Sequence, residues 1–158
     1  MANNLVSIYG LLILVSASTL FIRGATETYT VGDDLGWTVP PLGELTYRTW
    51  ATEQDFVVGD RIRFEWSGSG TENVVQVNRE GYEECRATNS YALSPIETNS
   101  PFTYRLNSTE TYYFICTVDN HCRLGQRVAI QASSSAASSS LAVALSVILL
   151  AINILCLF

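Results

Sequence analysis

The central part of the chain is predicted to fold as an all-β sandwich or barrel. Segments with strand character recur at short spacing, with glycine, proline, asparagine and aspartate between them. The clearest of them is RIRFEW at 61–66. Its Ile62, Phe64 and Trp66 alternate with charged residues, which is typical of an antiparallel strand with one buried face. Because strands follow one another without long helical segments between them, the pattern indicates an all-β fold rather than an α/β fold.

Six segments are predicted to form strands, and two are predicted to form short helical turns. The strands are expected at 26–31, 61–66, 73–78, 102–106, 111–116 and 127–131. The first and fourth of these alternate in polarity, whereas 111–116 is mostly apolar or aromatic, as in a buried strand. Turn residues at 32–37 and 67–71 end the first two strands. The helical turns are expected near 46–54 and 79–85.

The first 24 residues are predicted to be a secretory signal peptide. An apolar stretch runs from about Leu5 to Phe21, and small residues follow it. Cleavage is expected after Gly24 or after Ala25. The alternative is a membrane anchor that is retained, which the shortness of the apolar run and the lack of stop-transfer charges disfavour.

The C-terminal part is predicted to direct attachment of a GPI anchor. Residues 133–140 form a stalk of serine and alanine, and residues 141–158 form an apolar tail that is expected to be removed. The expected attachment residue is Ser133, Ser134 or Ser135. The alternative is a tail-anchoring helix. Both interpretations place the body of the protein outside the cell, at the extracellular face of the plasma membrane.

The expected mature domain, residues 25–132, is acidic and has the length of one domain. It contains eight arginines, no lysine and all fifteen acidic residues, which gives a net charge of −7. This charge disfavours nucleic acid and anionic lipid surfaces as partners. The segment Asn107-Ser108-Thr109 is an N-glycosylation sequon in a predicted turn. We expect a secreted, monomeric glycoprotein.

Three cysteines lie in this domain, namely Cys85, Cys116 and Cys122, and Cys156 lies in the apolar tail. In an oxidising compartment, an odd number predicts one disulfide and one thiol with another role. Cys116 could be a small buried apolar residue or a metal ligand. A histidine five residues later, inside a predicted turn, favours the metal role.

One short loop contains three of the residue types that a type 1 copper site requires. Such a site uses two imidazoles and a thiolate, with a weak axial ligand such as methionine or glutamine. Cys116, His121 and Gln126 match the ligands that come from a single loop between two strands. However, His121 is the only histidine in the chain, so a second imidazole is missing.

The sequence resembles that of a plant phytocyanin over nearly the whole domain, in segments 29–37, 56–64, 73–85 and 112–130. The resemblance implies a cupredoxin fold, a Greek-key sandwich of two sheets. It also implies a Cys85–Cys122 disulfide, which is the most economical pairing of the three cysteines as well. Cys116 would be the thiolate ligand, and His121 the second imidazole. Gln126 would be the axial ligand, as in the stellacyanin-like branch.

The chain departs from the phytocyanin pattern at the position of the first histidine, where it has Glu72. A carboxylate is a harder ligand than an imidazole, so it should bind Cu(I) poorly, favour Cu(II) and lower the reduction potential. Similar losses are characteristic of the early nodulin-like relatives, which are regarded as copper-free. Those proteins usually lose more of the site than this chain does.

Two functions are compatible with this pattern. The first is a copper-free binding module at the cell surface, with wall glycans or surface glycoproteins as partners. The alternative is a copper-binding electron carrier that uses Cys116, His121 and Gln126, with Glu72 or water. An enzyme is not expected, because a Cys116–His121 nucleophile pair lacks an orienting partner. Zinc bound by Cys116, His121 and Glu72 has no independent support from the spacing.

Overall fold

The structure, a computed structural model, describes residues 26–67 and 71–134. Residues Thr26–Ser134 form one compact unit. No helix within the described ranges is long and apolar enough to cross a membrane. The predicted signal peptide (1–24), residues 135–140 of the predicted stalk, which include Ser135, and the apolar tail (141–158) lie outside the described residues.

The described residues of the compact unit contain six strands and two α-helices. The strands are β1 (Thr28–Thr30), β2 (Arg61–Phe64), β3 (Val75–Val77), β4 (Phe102–Arg105), β5 (Thr111–Ile115) and β6 (Arg127–Gln131). The helices are α1 (Glu44–Thr52) and α2 (Arg79–Glu84), and a short 3₁₀ turn covers Asp33–Leu35. The prediction of an all-β fold with short helical turns is confirmed.

The strands form two three-stranded sheets. In the first sheet the order is β1-β2-β4, with β1 parallel and β4 antiparallel to β2. In the second sheet the order is β3-β5-β6, and both pairs are antiparallel. The two longest strands pair along their whole length, from Thr111 opposite Gln131 to Ile115 opposite Arg127.

An aromatic core connects the two sheets. Phe64 of β2 lies 5.0 Å from Phe114 of β5 and 5.1 Å from Trp37, measured between ring centroids. The predicted inner face of 61–66 is confirmed, because Ile62 and Phe64 are fully buried and Trp66 is nearly so. Burial of each such side chain contributes about 1.5–3 kcal/mol, so this core holds the sheets in a fixed relation.

The strand β2 ends earlier than the alternation predicts. It stops at Phe64, because the next residues bond to other parts of the chain. The backbone N–H of Trp37 donates to the carbonyl of Glu65 at 2.7 Å. The backbone N–H of Trp66 donates to the hydroxyl of Ser100 at 2.9 Å.

The second sheet has two ends with different features. The loop from 116 to 126 joins β5 to β6 at one end, which we call the loop end. At the opposite end, the exit end, the chain passes from β6 to Ser133, whose backbone N–H donates to the carbonyl of Phe56. The turn that contains Asn107 lies between β4 and the start of β5, so it belongs to the exit end as well.

Candidate metal centre

Backbone hydrogen bonds at the base of the loop bring the three predicted ligand residues together. The N–H of Cys116 donates to the carbonyl of Gln126 at 3.1 Å. The N–H of Gln126 donates in turn to the carbonyl of His121 at 2.9 Å. The backbone of Gln126 is therefore bonded to both of the other candidate ligands.

The loop is closed by a sharp turn that packs against the start of α1. The N–H of Gly125 donates to the carbonyl of Cys122 at 2.9 Å, and Gly125 has a φ of +105°. A Cβ atom at this position would lie 2.3 Å from the backbone nitrogen of Glu44. Only glycine permits both this conformation and this close approach. Gly125 therefore allows the loop to pack directly against the start of α1.

A disulfide joins Cys85 at the end of α2 to Cys122, with a Cα–Cα distance of 5.7 Å. This is the pairing that the sequence analysis predicted, and Cys116 is a free, buried thiol. Because Cys122 directly follows His121, the disulfide restrains the histidine backbone whether or not a metal is bound.

The side chain of Asn73, the residue after Glu72, forms hydrogen bonds to Thr117 at the start of the loop. The N–H of Thr117 donates to Oδ1 of Asn73 at 2.7 Å, and Nδ2 of Asn73 donates to the Thr117 hydroxyl at 2.9 Å. No local sequence pattern indicates this role, because Asn73 and Thr117 are 44 positions apart.

Cys116 and His121 are close enough to share one metal ion. Cys116 Sγ lies 3.8 Å from His121 Nδ1. A thiolate about 2.3 Å and an imidazole about 2.0 Å from one metal ion can be at most about 4.3 Å apart, so this pair fits. The thiol is almost fully buried, and the imidazole is half-buried. Burial raises the pKa of the Cys116 thiol, the backbone N–H groups of Asn73 and Val118 lower it, and the charge of Glu72 raises it.

The side chain of Gln126 is fully buried but makes no hydrogen bond. Neither Oε1 nor Nε2 has a partner among the described residues. A buried polar group without a partner costs about 1–3 kcal/mol. An amide kept in this position at such a cost is the kind of donor that an axial metal ligand requires.

Glu72 is half-exposed and accepts a hydrogen bond from the hydroxyl of Thr71. Within the described ranges, no group of three or more histidine, cysteine, aspartate or glutamate side chains could hold a metal ion. Glu72 therefore does not form such a group with Cys116 and His121. Its role as the replacement for the missing imidazole stays a prediction.

Arg127 follows Gln126 directly and holds the start of β6 in place. Its guanidinium forms an ion pair with Glu44 at the start of α1. It also donates to the carbonyl of Tyr82 at 3.0 Å and lies 5.1 Å from the centre of the Tyr82 ring. One side chain thus connects both helices to the strand that follows the axial candidate.

A cavity of about 170 Å³ lies beside the free thiol. It is lined by Cys116, by both half-cystines and by Ile96, among others. The cavity therefore adjoins both the free cysteine and the disulfide.

Two sheets around an aromatic core, with a thiol, an imidazole and an amide on the loop between the last two strands, define a cupredoxin. A family model described as a plastocyanin-like domain matches residues 37–126. The structure is similar to that of cucumber stellacyanin with Cu²⁺, with a TM-score of 0.62 and 32% identity, over 69% of this chain and 96% of that one. The chain therefore belongs to the phytocyanins, within the plastocyanin-like family.

Two similar relatives come from Arabidopsis thaliana. A blue copper protein is 36% identical over 127 residues, which cover 80% of this chain and 61% of that protein. Early nodulin-like protein 14 is 33% identical over 112 residues, which cover 70% of this chain and 59% of that protein. The chain thus spans about three fifths of the length of both relatives.

Proposed function

We propose that this phytocyanin binds copper through Cys116, His121 and Gln126 without forming the two-imidazole plane of a blue copper site. The buried, unpartnered amide of Gln126 is the observation that carries this proposal. Its backbone is bonded to both Cys116 and His121, so the three donor residues form one unit. Membership in a family that includes a blue copper protein and a copper-containing stellacyanin supports the same conclusion.

Each of the three residues would contribute a different property. The Cys116 thiolate is the soft donor that selects copper, and the His121 imidazole is a donor for both oxidation states. The amide oxygen of Gln126 is a weak third donor. Bound copper would supply one-electron chemistry, but a single histidine in the chain excludes the usual trigonal arrangement. Fast electron transfer of the ordinary blue copper type is therefore not part of the proposal.

Metal stoichiometry and thiol protection test the proposal. The full-length chain carrying Cys156→Ser, so that Cys116 is its one thiol outside the disulfide, is purified in detergent, incubated with copper and then separated from unbound ions. We expect one copper per chain and a Cys116 thiol that no longer reacts with iodoacetamide. The variant Cys116→Ser should retain no copper. A wild-type protein that retains no copper, with an equally reactive thiol before and after incubation, would refute the proposal.

The variant Glu72→His is the companion experiment. If position 72 is where the missing imidazole belongs, this change should produce an intense visible thiolate-to-copper absorption that the wild type lacks. A colourless Glu72→His protein that still binds copper would show that position 72 does not face the site.

The second candidate is a copper-free module that binds wall glycans or surface glycoproteins. The half-exposed Glu72, which forms no metal-holding group with Cys116 and His121, favours it. Retention of a wall polysaccharide by the Cys116→Ser protein, at the same level as by the wild type, would support this function. If neither protein retains the polysaccharide, the glycan-binding function is refuted.

Attachment to the outer face of the plasma membrane is also part of the proposal. Ser133 forms a β-bridge with Val57, and its hydroxyl donates to the carbonyl of Phe56 at 3.1 Å. A residue bonded into the fold is a poor substrate for a processing enzyme, so Ser134 or Ser135 is favoured over Ser133. Release from membranes by a phosphatidylinositol-specific phospholipase tests the anchor. Mass spectrometry of the released C-terminal peptide then identifies the attached residue.

Glycosylation of Asn107 belongs to the same proposal. Asn107 is exposed, and the hydroxyl of Tyr112 accepts the backbone N–H of both Asn107 and Ser108. The turn therefore presents the sequon on a fixed part of the exit end. Endoglycosidase treatment should increase the mobility of the secreted protein, and Asn107→Gln should abolish that difference.

A further inference from the structure

We infer that the candidate site selects cuprous over cupric ions, so that the protein holds Cu(I) rather than cycling between oxidation states. The inference rests on the proposed function, because it concerns the same three donors. It also reverses the sequence-based expectation, in which Glu72 as a ligand would favour Cu(II).

The number and type of donors at the site favour Cu(I). Cys116 and His121 are the two strong donors that the structure brings together, 3.8 Å apart. Gln126 adds a weak amide, and Glu72 forms no metal-holding group with the other two. Cupric ions favour tetragonal sites with several nitrogen and oxygen donors, whereas soft thiolate sites select Cu(I). A set with one thiolate, one imidazole and a weak third donor matches the cuprous ion.

The burial of the Cys116 side chain also favours Cu(I). Cys116 is only 1% exposed and packs in the main apolar core. A cuprous ion and a thiolate together have no net charge, whereas a cupric ion and a thiolate retain one positive charge. A net charge in an apolar environment loses solvation free energy, so burial of the sulfur favours the singly charged ion.

Glu72 is the group that opposes this preference. Its charge acts on Cys116, and it attracts a doubly charged ion more strongly than a singly charged one. However, its half-exposed carboxylate is in contact with water and with the hydroxyl of Thr71. The attraction of an exposed carboxylate is weakened by solvent, so the direct ligands decide the preference.

The fold also limits the rearrangement that a change of oxidation state requires. The disulfide at Cys122 and the bonds between Asn73 and Thr117 restrain the loop on both sides of His121 and Cys116. The loop therefore cannot easily recruit the additional donors that a cupric ion favours.

Direct competition between oxidation states tests the inference. The full-length chain carrying Cys156→Ser, in detergent, is titrated without oxygen with Cu(I) against a chromophoric Cu(I) chelator, and separately with Cu(II) against a Cu(II) chelator. We expect one Cu(I) per chain and an affinity at least about tenfold higher for Cu(I) than for Cu(II), since the donor set is soft. Silver(I), a soft ion without accessible redox chemistry, should compete with Cu(I) for the same site and protect Cys116 from alkylation.

The variant Glu72→His is the matched comparison. A second imidazole supplies a donor that suits Cu(II), so the ratio of Cu(I) to Cu(II) affinity should fall at least about tenfold relative to the wild type. The variant Cys116→Ser should lose Cu(I) and Ag(I) binding together.

The possible outcomes separate this inference from the proposed function. A wild-type protein that binds Cu(II) as tightly as Cu(I) overturns the inference and leaves copper binding intact. A wild-type protein that binds neither ion overturns both. Preference for Cu(I) in the wild type that decreases in Glu72→His supports both.

Discussion

Replacement of Gln126 with leucine is expected to stabilise the metal-free protein. Both polar atoms of this fully buried side chain lack a hydrogen-bond partner in the described part of the chain. Leucine has a similar size and no polar group to desolvate, so the change removes a penalty of about 1–3 kcal/mol. The free energy of unfolding of the metal-free variant should rise by an amount of that order.

Urea unfolding of the metal-free protein provides the assay. The fluorescence of the buried core tryptophans Trp37, Trp50 and Trp66 reports on the transition. A rise in the midpoint with an unchanged slope indicates a true change in stability. With Cu(I) added, the advantage of the variant should shrink, because a ligand stabilises the protein that binds it more tightly.

Two control variants identify the cause. Gln131→Leu replaces the glutamine at the end of β6, whose amide accepts from Thr111 and donates to the carbonyl of Ala132, so no stabilisation is expected. Thr46→Val removes another buried hydroxyl without a partner among the described residues, so it should stabilise the protein without weakening metal binding. If Gln126→Leu destabilises the metal-free protein, the amide is satisfied after all, and the ligand argument loses its main support.

Three further predictions concern the scaffold of the site. Burial raises the pKa of Tyr47 to about 12. Because the unfolded side chain ionises near 10, the contribution of Tyr47 to stability should be constant below that pH and be lost as the pH rises towards 12, as unfolding curves of the wild type and of Tyr47→Phe can show. The double variant Cys85→Ala/Cys122→Ala opens a loop of 37 residues and should lower the free energy of unfolding by about 4 kcal/mol. Its denaturation midpoint should match that of the chemically reduced wild type. Asn73→Ala leaves the backbone N–H of Thr117 unpaired and should cost about 1–3 kcal/mol in urea unfolding, with faster alkylation of Cys116. Unchanged alkylation would mean that Asn73 does not restrain the loop.

The strands could be predicted from the sequence because their signals are local. The alternation in β2 and the run RVAIQ of β6 each indicate a strand without reference to the rest of the chain. The 3₁₀ turn at Asp33–Leu35 was not predicted, because the same residues are equally typical of an irregular turn. The end of β2 at Phe64 depends on Ser100, which is distant in sequence.

At the candidate site, too, local features could be predicted from the sequence, whereas contacts between distant residues could not. The closeness of the candidate ligands Cys116, His121 and Gln126 could be predicted because all three lie on one loop at a recognisable spacing. The contact between Gly125 and Glu44 could not be predicted, nor could the ion pair between Arg127 and Glu44, which spans 83 residues. The absence of a partner for Gln126 is likewise a property of the packed structure, because it depends on every neighbouring side chain at once.

The path of β6 has a mechanical consequence. This strand leads directly from Gln126 at the loop end to Ser133 at the exit end, and it pairs with β5 at five positions. A tension applied to the chain beyond Ser133 acts along the strand axis, so the hydrogen bonds to β5 are loaded in shear and resist together. The bonds of Ser133 to Phe56 and Val58 carry the load first. A protein held by its C-terminus could thus be pulled at one end while the donor residues at the other end remain in register.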